Sequence, residues 1–256
     1  MALPTLPVAD IVIGTEPPVS WLIPDFVPRG SLIALAGSPG TGKSVLSYTI
    51  AMAVATGTPF LGWDIRTPQK VLYFDQENSM ADCCQYLKWA WIGLGKPNTG
   101  LLTANLSFVH FQLGGPDWAQ KAIGHTQEIR PDLIIIDTTT PTCNIQDEND
   151  NAEAAKVISR IRQIMAATTP TAACIALKHA KVDHENGRYT LRGAKAWEGS
   201  VDSIVYQIKS AGAPRSDGLA ITKLQPAKTR AFGLRDPVHI NPSWVNNREG
   251  LTLTRT

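Results

Sequence analysis

Residues 37–44 are the part of this sequence with the clearest chemical meaning. The eight positions are Gly37, Ser38, Pro39, Gly40, Thr41, Gly42, Lys43 and Ser44. In a glycine-rich turn of this kind, successive backbone N–H groups can point at phosphate oxygens, and the helix that follows adds partial positive charge. Lys43 would then reach the β- and γ-phosphates, and the Ser44 hydroxyl would bind Mg²⁺. This phosphate-binding loop, or P-loop, predicts a site for a nucleoside triphosphate, ATP, with Mg²⁺.

Hydrolysis also needs an acid that orders the metal ion. Asp137 ends the apolar run 132–137, which is typical of a strand buried on both faces. An aspartate at the end of such a strand lies at the carboxyl edge of a parallel sheet, where ligands bind. We therefore predict that Asp137 and Ser44 hold the metal ion together.

A water-activating group is the second requirement. The residue after Asp137 is Thr138, so this group must come from another part of the chain. Glu77 follows the apolar strand 71–74, which we expect to neighbour the P-loop strand, and it is our candidate general base. Asp75 is a competing choice, and Glu77 could instead be an acid that caps a helix.

A histidine occupies the next expected strand end. His179 follows residues 174–178 and should close that strand at the carboxyl edge. A neutral imidazole there could contact the γ-phosphate and report its presence to the segment that follows.

That segment, residues 181–197, is long, polar and basic, and we call it the basic segment. Its cations are Lys181, Arg188, Arg192 and Lys195, and they alternate with Tyr189 and Trp197. Cations can bind a nucleic-acid backbone while aromatic rings stack on bases, so the basic segment predicts a site for single-stranded DNA. A solvated lid over the nucleotide is the alternative. A second loop at the same edge, residues 141–151, is acidic.

The elements that must position these residues alternate along the chain. Strands are predicted at 31–36, 70–74, 106–111, 132–137, 171–177, 203–208 and 219–224, and helices at 45–54, 80–94, 116–129 and 148–167. This order predicts an α/β fold with a mostly parallel sheet, helices on both faces and a C-terminal hairpin within 232–256 at one edge. We divide the chain into a proline-rich N-terminal arm, 1–28, and an ATPase domain, 29–256.

Composition narrows the class of protein. A chain of 256 residues with 43% hydrophobic content can bury one large core. The net charge of +2 is nearly balanced, so any nucleic-acid site must come from local clustering or from repetition around an oligomer. The four cysteines form no C-x-x-C pair, and neither a signal peptide nor a membrane span is evident. We expect a cytoplasmic protein with reduced thiols and no membrane partner.

Together these residues resemble the RecA-like ATPases, and most closely the plasmid- and phage-type replicative helicases typified by RepA and related to DnaB. The shared features, over about residues 20–235, are Leu-Ile-Pro at 22–24, the P-loop, Tyr-Phe-Asp-Gln-Glu at 73–77, Leu-Ile-Ile-Ile-Asp-Thr at 133–138, Leu-Lys-His at 177–179, Arg-Gly at 192–193 and Gly-Ser at 199–200. The resemblance implies a hexameric ring or helical assembly, with ATP between subunits and single-stranded DNA in a central channel.

The same resemblance implies a basic finger that enters the neighbouring subunit's site. Lys228 and Arg230, in the Lys-Thr-Arg segment, stand in that position. We therefore predict an ATP-dependent oligomeric motor on single-stranded DNA, a replicative helicase. Two alternatives stay open: a recombinase-like ATPase that coats single-stranded DNA, and a nucleotide-gated signalling or assembly ATPase without a nucleic-acid partner.

Overall fold

The computed structural model describes residues 19–110, 115–183, 188–191, 195–210, 215–230 and 232–256. The helices are α1 (Lys43–Thr56), α2 (Met80–Gly93), α3 (Thr99–Asn105), α4 (Trp118–Ile129), α5 (Thr139–Thr142), α6 (Asn151–Met165) and α7 (Ala196–Ser200). The strands are β1 (Trp21–Ile23), β2 (Val27–Pro28), β3 (Leu32–Gly37), β4 (Val71–Asp75), β5 (Leu106–His110), β6 (Leu133–Asp137), β7 (Ala173–Asp183), β8 (Arg188–Leu191), β9 (Ser203–Lys209), β10 (Thr222–Thr229), β11 (Val238–Val245) and β12 (Gly250–Arg255).

One twisted sheet organises the chain, in the order β12-β11-β10-β9-β3-β7-β6-β4-β5. The six strands from β9 to β5 are parallel, and β10, β11 and β12 continue the sheet with antiparallel pairing. Helices α1, α2 and α3 cover one face, and α4, α6 and α7 cover the other. Because both faces are covered, β6 is completely buried, and it is apolar up to its last residue, Asp137. The predicted α/β fold with a C-terminal antiparallel edge is confirmed.

The strand order corrects one expectation. We expected the strand before Glu77 to lie next to the P-loop strand, but β6 and β7 separate β4 from β3. Chain order does not fix spatial order in a doubly wound sheet, because crossover connections can skip positions. All four strands nevertheless end at the same carboxyl edge.

The described part of the predicted N-terminal arm, residues 19–28, packs on the core of the domain. Strands β1 and β2 form a small antiparallel hairpin, and four of its side chains belong to the core: Leu22, Ile23, Phe26 and Val27. Two pairs of adjacent apolar residues, each followed by a proline, thus form a packed hairpin here. Residues 1–18 lie outside the described residues, and the division at residue 28 stays a prediction.

The basic segment also differs from the predicted open loop. Strand β7 does not close at His179 but continues to Asp183 and pairs antiparallel with β8. Trp197, expected to stack on bases, is only 1% exposed and packs inside the core beside α6. A polar, glycine-containing sequence reads as a loop, yet it can form a hairpin when the preceding strand simply runs on.

The C-terminal hairpin β11–β12 packs against α2 at close range. A Cβ at Gly93 would lie 1.9 Å from the Leu251 carbonyl oxygen, and one at Gly250 would lie 2.3 Å from Ile92 Cγ2. Only glycine fits at these two positions, so helix and hairpin contact each other through backbone. No described helix is both long and apolar enough to cross a bilayer.

Candidate functional site

The P-loop connects β3 to α1, and its glycines are required by geometry. A Cβ at Gly37 would lie 2.6 Å from the carbonyl oxygen of Gln207. Gly40 and Gly42 have φ angles of +70° and +86°, in the left-handed region that side chains disfavour. The loop therefore curls tightly at the N-terminus of α1, as a phosphate cradle must.

Lys43 lies inside this loop. Its Nζ donates hydrogen bonds to the carbonyl oxygens of Gly37 at 3.0 Å and Ser38 at 3.2 Å. Burial lowers the pKa of the Lys43 ammonium, while the carboxylates of Asp137 and Glu77 act in the opposite direction. The desolvated Lys43 ammonium is bound by two neutral carbonyl oxygens. Phosphate oxygens, which are charged, would form stronger hydrogen bonds with it and could replace them.

Asp137 is completely buried at the end of β6. Its Oδ2 accepts a hydrogen bond from the Tyr73 hydroxyl at 2.9 Å, whereas its Oδ1 has no hydrogen-bond partner among the described residues. Burial raises the pKa of Asp137 to about 7, the Asp75 carboxylate adds to the rise, and the hydroxyls of Ser44 and Tyr73 oppose it. A buried carboxylate oxygen that lacks a partner beside Ser44 fits a Mg²⁺ ligand, because a cation would supply the missing charge.

Asp75 faces Asp137 in register across β4 and β6, but its oxygens are already used. Oδ2 accepts from the Tyr48 hydroxyl at 2.7 Å and from Asn78 Nδ2 at 2.8 Å, and Oδ1 accepts from the backbone of Glu77 and Asn78. These bonds fix the turn after β4. The structure therefore gives Asp75 a structural setting and disfavours it as the competing base.

Glu77 reaches the ends of two other strands. Its Oε2 accepts a hydrogen bond from Thr138 Oγ1 at 2.5 Å, and its Oε1 lies 3.9 Å from His179 Nε2. The side chain of Glu77 is 42% exposed, so water has access to it. His179 itself pairs in register with Gly37, the first residue of the P-loop. The predicted residues from β4, β6 and β7 thus meet at one place beside the P-loop.

Sequence reasoning missed Gln207 on β9. Its Nε2 donates to the Thr41 carbonyl oxygen at 2.9 Å, and its side chain is 3% exposed. Since Gly37 also packs against the Gln207 carbonyl, β9 supports the P-loop from the side opposite β7. A single glutamine within an apolar strand is the only signal that could have indicated this role.

Two further residues behind the site were also missed. The Tyr73 hydroxyl lies 2.6 Å from Ser47 Oγ on α1, and the Tyr48 ring stacks on Tyr73 with centroids 4.5 Å apart. Burial raises the pKa of both tyrosines, so both stay protonated donors. The sequence signal was available, because polar tyrosine hydroxyls in buried elements require partners.

A comparison with known families bears directly on this geometry. A family model, AAA_25, described as an AAA domain, matches residues 1–185. The chain belongs to this family of P-loop ATPases. No curated protein matches the chain. The AAA-domain match contains the P-loop, Glu77, Asp137 and His179, whereas Gln207 lies beyond it.

The predicted finger residues of this AAA-domain chain lie at the opposite, amino edge of the sheet. Lys228 Nζ donates to the carbonyl oxygens of Glu198 at 2.6 Å and Val201 at 2.7 Å. The side chain of Arg230 is 52% exposed, and its Nη1 lies 3.6 Å from Asp202 Oδ1. Both cations are far from the P-loop of their own chain, so a finger role requires a second copy and stays a prediction.

The predicted DNA-contacting residues are only partly described. Lys181 and Lys195 are exposed, on β7 and directly before α7. The backbone of Arg188 lies in β8, but its side chain, like all of Arg192, lies outside the described residues. Tyr189 is half-buried and packs near Tyr206, with ring centroids 5.9 Å apart.

Proposed function

We propose that this AAA-domain chain is a Mg²⁺- and ATP-dependent oligomeric motor on single-stranded DNA, a replicative helicase of the RepA type. The observation that carries the proposal is the meeting of Lys43, Asp137 and Glu77 at the carboxyl edge of one sheet. These three side chains come from three separate elements and supply the phosphate, metal and water partners that ATP hydrolysis needs.

The residues would divide the chemistry as follows. The P-loop N–H groups and Lys43 bind the phosphates and stabilise the charge that develops on the transferred phosphoryl group. Ser44 and Asp137 would hold Mg²⁺, which neutralises phosphate charge when bound. Glu77 accepts the proton of the attacking water, and the Thr138 hydroxyl orients the carboxylate for that task.

Support for a DNA partner comes from the hairpin β7–β8. Strand β7 carries His179 beside the P-loop and then leaves the sheet, so nucleotide state and hairpin position share one strand. Lys181 and Lys195 offer exposed positive charge on this side of the molecule, which suits a phosphate backbone. The RecA-like helicases that the sequence resembles use the same edge for single-stranded DNA, within a hexamer.

One observation favours a second candidate. Trp197 is buried, with Lys178 Nζ 4.3 Å from its ring centroid, so it cannot stack on bases. Without that ring, nucleic-acid binding depends mainly on charge. A nucleotide-gated assembly ATPase, in which the hairpin contacts a protein, is therefore the alternative.

The test measures ATP turnover with and without single-stranded DNA. Wild type should hydrolyse ATP faster with DNA, and Lys43→Ala should abolish turnover in both conditions. Changing Lys181 and Lys195 to glutamate should weaken DNA binding and remove the stimulation, whereas the charge-matched control at exposed Lys70 and Lys88 should not. DNA affinity should also fall steeply with salt. An ATP turnover rate that is the same with and without DNA, together with no DNA binding at low salt, would favour the assembly ATPase.

A further inference from the structure

Tyr73 lies on β4, and its hydroxyl contacts side chains of two other elements. It donates to Asp137 Oδ2 on β6 at 2.9 Å and lies 2.6 Å from Ser47 Oγ on α1. We propose that Tyr73 is a positioning residue for the metal site: it orients the Asp137 carboxylate so that Oδ1 is available to the Mg²⁺ that Ser44 would also bind. The inference rests on the proposed ATPase chemistry and adds to it a residue that holds a metal ligand from behind.

The two oxygens of the Asp137 carboxylate are in different situations. Oδ2 accepts from Tyr73 at 2.9 Å and has Asn78 Nδ2 only at 3.5 Å, the outer limit of a hydrogen bond. Oδ1 is buried and has no hydrogen-bond partner among the described residues. The Tyr73 hydroxyl is therefore the main group that sets the rotation of this carboxylate. Carboxylates that bind a metal ion are usually held in this way by an outer hydrogen bond.

Ser47 connects the same hydroxyl to the P-loop helix. It follows Ser44 by about one helical turn, and its Oγ lies 2.8 Å from the Ser44 carbonyl oxygen, to which it can donate. Tyr73 thus links Asp137 on β6 to the part of α1 that carries the other predicted metal ligand. These two ligands come from separate elements, since β7 lies between β6 and the P-loop strand β3. A fixed separation between them matters because Mg²⁺ requires nearly ideal octahedral geometry.

Packing holds the Tyr73 ring in place. The residue is completely buried, and its ring stacks on Tyr48 with centroids 4.5 Å apart and contacts Phe108 with centroids 5.6 Å apart. The Tyr48 hydroxyl donates instead to Asp75 Oδ2 at 2.7 Å. Two stacked tyrosines thus bind two different carboxylates. Of these two acids, only Asp137 keeps an oxygen without a partner in the described part of the chain, so Tyr48 provides a matched control.

The test measures the Kd for adenylyl imidodiphosphate, a non-hydrolysable ATP analogue, by calorimetry with excess Mg²⁺ and again in EDTA. Tyr73→Phe keeps the stacked ring and removes only the hydroxyl. It should raise the Kd in Mg²⁺ by about 10- to 100-fold, the usual cost of losing an outer hydrogen bond to a metal ligand. The Kd in EDTA should not change. Tyr48→Phe removes the matching hydroxyl from the other carboxylate and should change neither Kd.

Ser47→Ala keeps the test decisive if Tyr73→Phe folds poorly. It removes the connection between the Tyr73 hydroxyl and α1, so it should also weaken analogue binding in Mg²⁺ but not in EDTA. The loss should be smaller than in Tyr73→Phe, because Asp137 keeps its donor. Unchanged affinity in Mg²⁺, or an equal loss in Mg²⁺ and EDTA, would overturn the positioning role. The proposed ATPase chemistry fails separately, if Lys43→Ala binds the analogue as wild type does.

Discussion

Thr138 donates its hydroxyl to the carboxylate of Glu77 across 2.5 Å. Thr138 directly follows the buried acid Asp137, at the position where many P-loop ATPases carry the water-activating glutamate. In this chain that position holds the glutamate from another strand instead of supplying it. The residue directly after the proposed metal-binding acid therefore holds the proposed base, which follows the neighbouring strand β4.

Glu77→Gln should keep nucleotide binding and lose hydrolysis, because an amide can hold water but cannot accept its proton. We expect kcat to fall by about 10²-fold or more, with the Kd for ATP within a few-fold of wild type. Steady-state turnover and equilibrium titration measure the two quantities. Asp75→Asn is the comparison: if it loses turnover at wild-type stability while Glu77→Gln does not, Asp75 is the base.

Thr138→Val should lower kcat by about tenfold, because Glu77 loses the hydrogen bond that fixes its orientation. KM should change little, since Thr138 is not expected to contact the nucleotide. Thr138→Ser retains the hydroxyl and should recover most of the rate. Equal losses in the valine and serine variants would mean that the methyl group and its packing matter, and not the bond to Glu77.

Gln207→Leu should weaken nucleotide binding by about 2- to 10-fold, because the bond to the Thr41 carbonyl oxygen that supports the P-loop is lost. Gln225→Leu, on the neighbouring strand β10, is the matched control and should bind ATP normally. Both variants can be titrated with ATP under identical conditions. Normal affinity in Gln207→Leu would show that β9 does not support the loop through this side chain.

The buried ammonium group of Lys178 should make the free energy of unfolding depend on pH. Burial lowers its pKa from 10.5 to about 8, Glu148 acts in the opposite direction, and the ammonium lies against the Trp197 ring and Thr139 Oγ1. Between pH 8 and 10.5 the unfolded chain binds more protons at this residue, so the stability that it contributes rises with pH.

Lys178→Met removes that dependence. The unfolding free energy of wild type minus that of the variant should therefore increase across this window by up to about 3 kcal/mol. Urea unfolding at a series of pH values measures the difference, and the tyrosine and cysteine titrations that both proteins share cancel in it. A difference that stays flat from pH 8 to 10.5 would contradict the lowered pKa.

Arg230→Ala should fold, bind ATP and assemble, yet hydrolyse slowly if this arginine stabilises the γ-phosphoryl group of a neighbouring subunit. Such fingers are worth on the order of 10³–10⁵ in rate. Mixing Arg230→Ala with Lys43→Ala should restore part of the activity, because each variant keeps the group that the other lacks. The absence of rescue at every mixing ratio would count against a shared site.

Short sequence motifs were enough to predict that most of the candidate site residues lie at one edge of the sheet. The P-loop, Asp137 and Glu77 were predicted to lie together because each ends or follows an apolar run that indicates a buried strand. Gln207 was not found, because its role depends on β9 lying beside β3, and no local pattern records that pairing. Helix α3 was missed as well, although Asn98 caps its N-terminus by accepting from Gly100 and Leu101.

The errors in the predicted fold have the same cause, because local sequence patterns do not record tertiary contacts. Trp197 was expected at the surface because its neighbours in sequence are polar, but its burial is decided by packing against α6, a tertiary contact. The predicted place of β4 in the sheet was wrong, because the order of strands depends on the crossover connections and not on the strands themselves. Residues that act through distant neighbours are those that the sequence alone does not reveal.

Strand β7 runs without a break from Ala173 in the core to Asp183 outside the sheet. A small rotation of β7 about a pivot near His179 would therefore move the outer end of the β7–β8 hairpin by a larger distance. Asp183 is four residues beyond His179, or about 13 Å of extended chain, so a tilt of ~10° at the pivot would displace the end by ~2 Å. Because β7 and β8 are paired from Ala180 onward, the part of the hairpin beyond His179 would move as one unit.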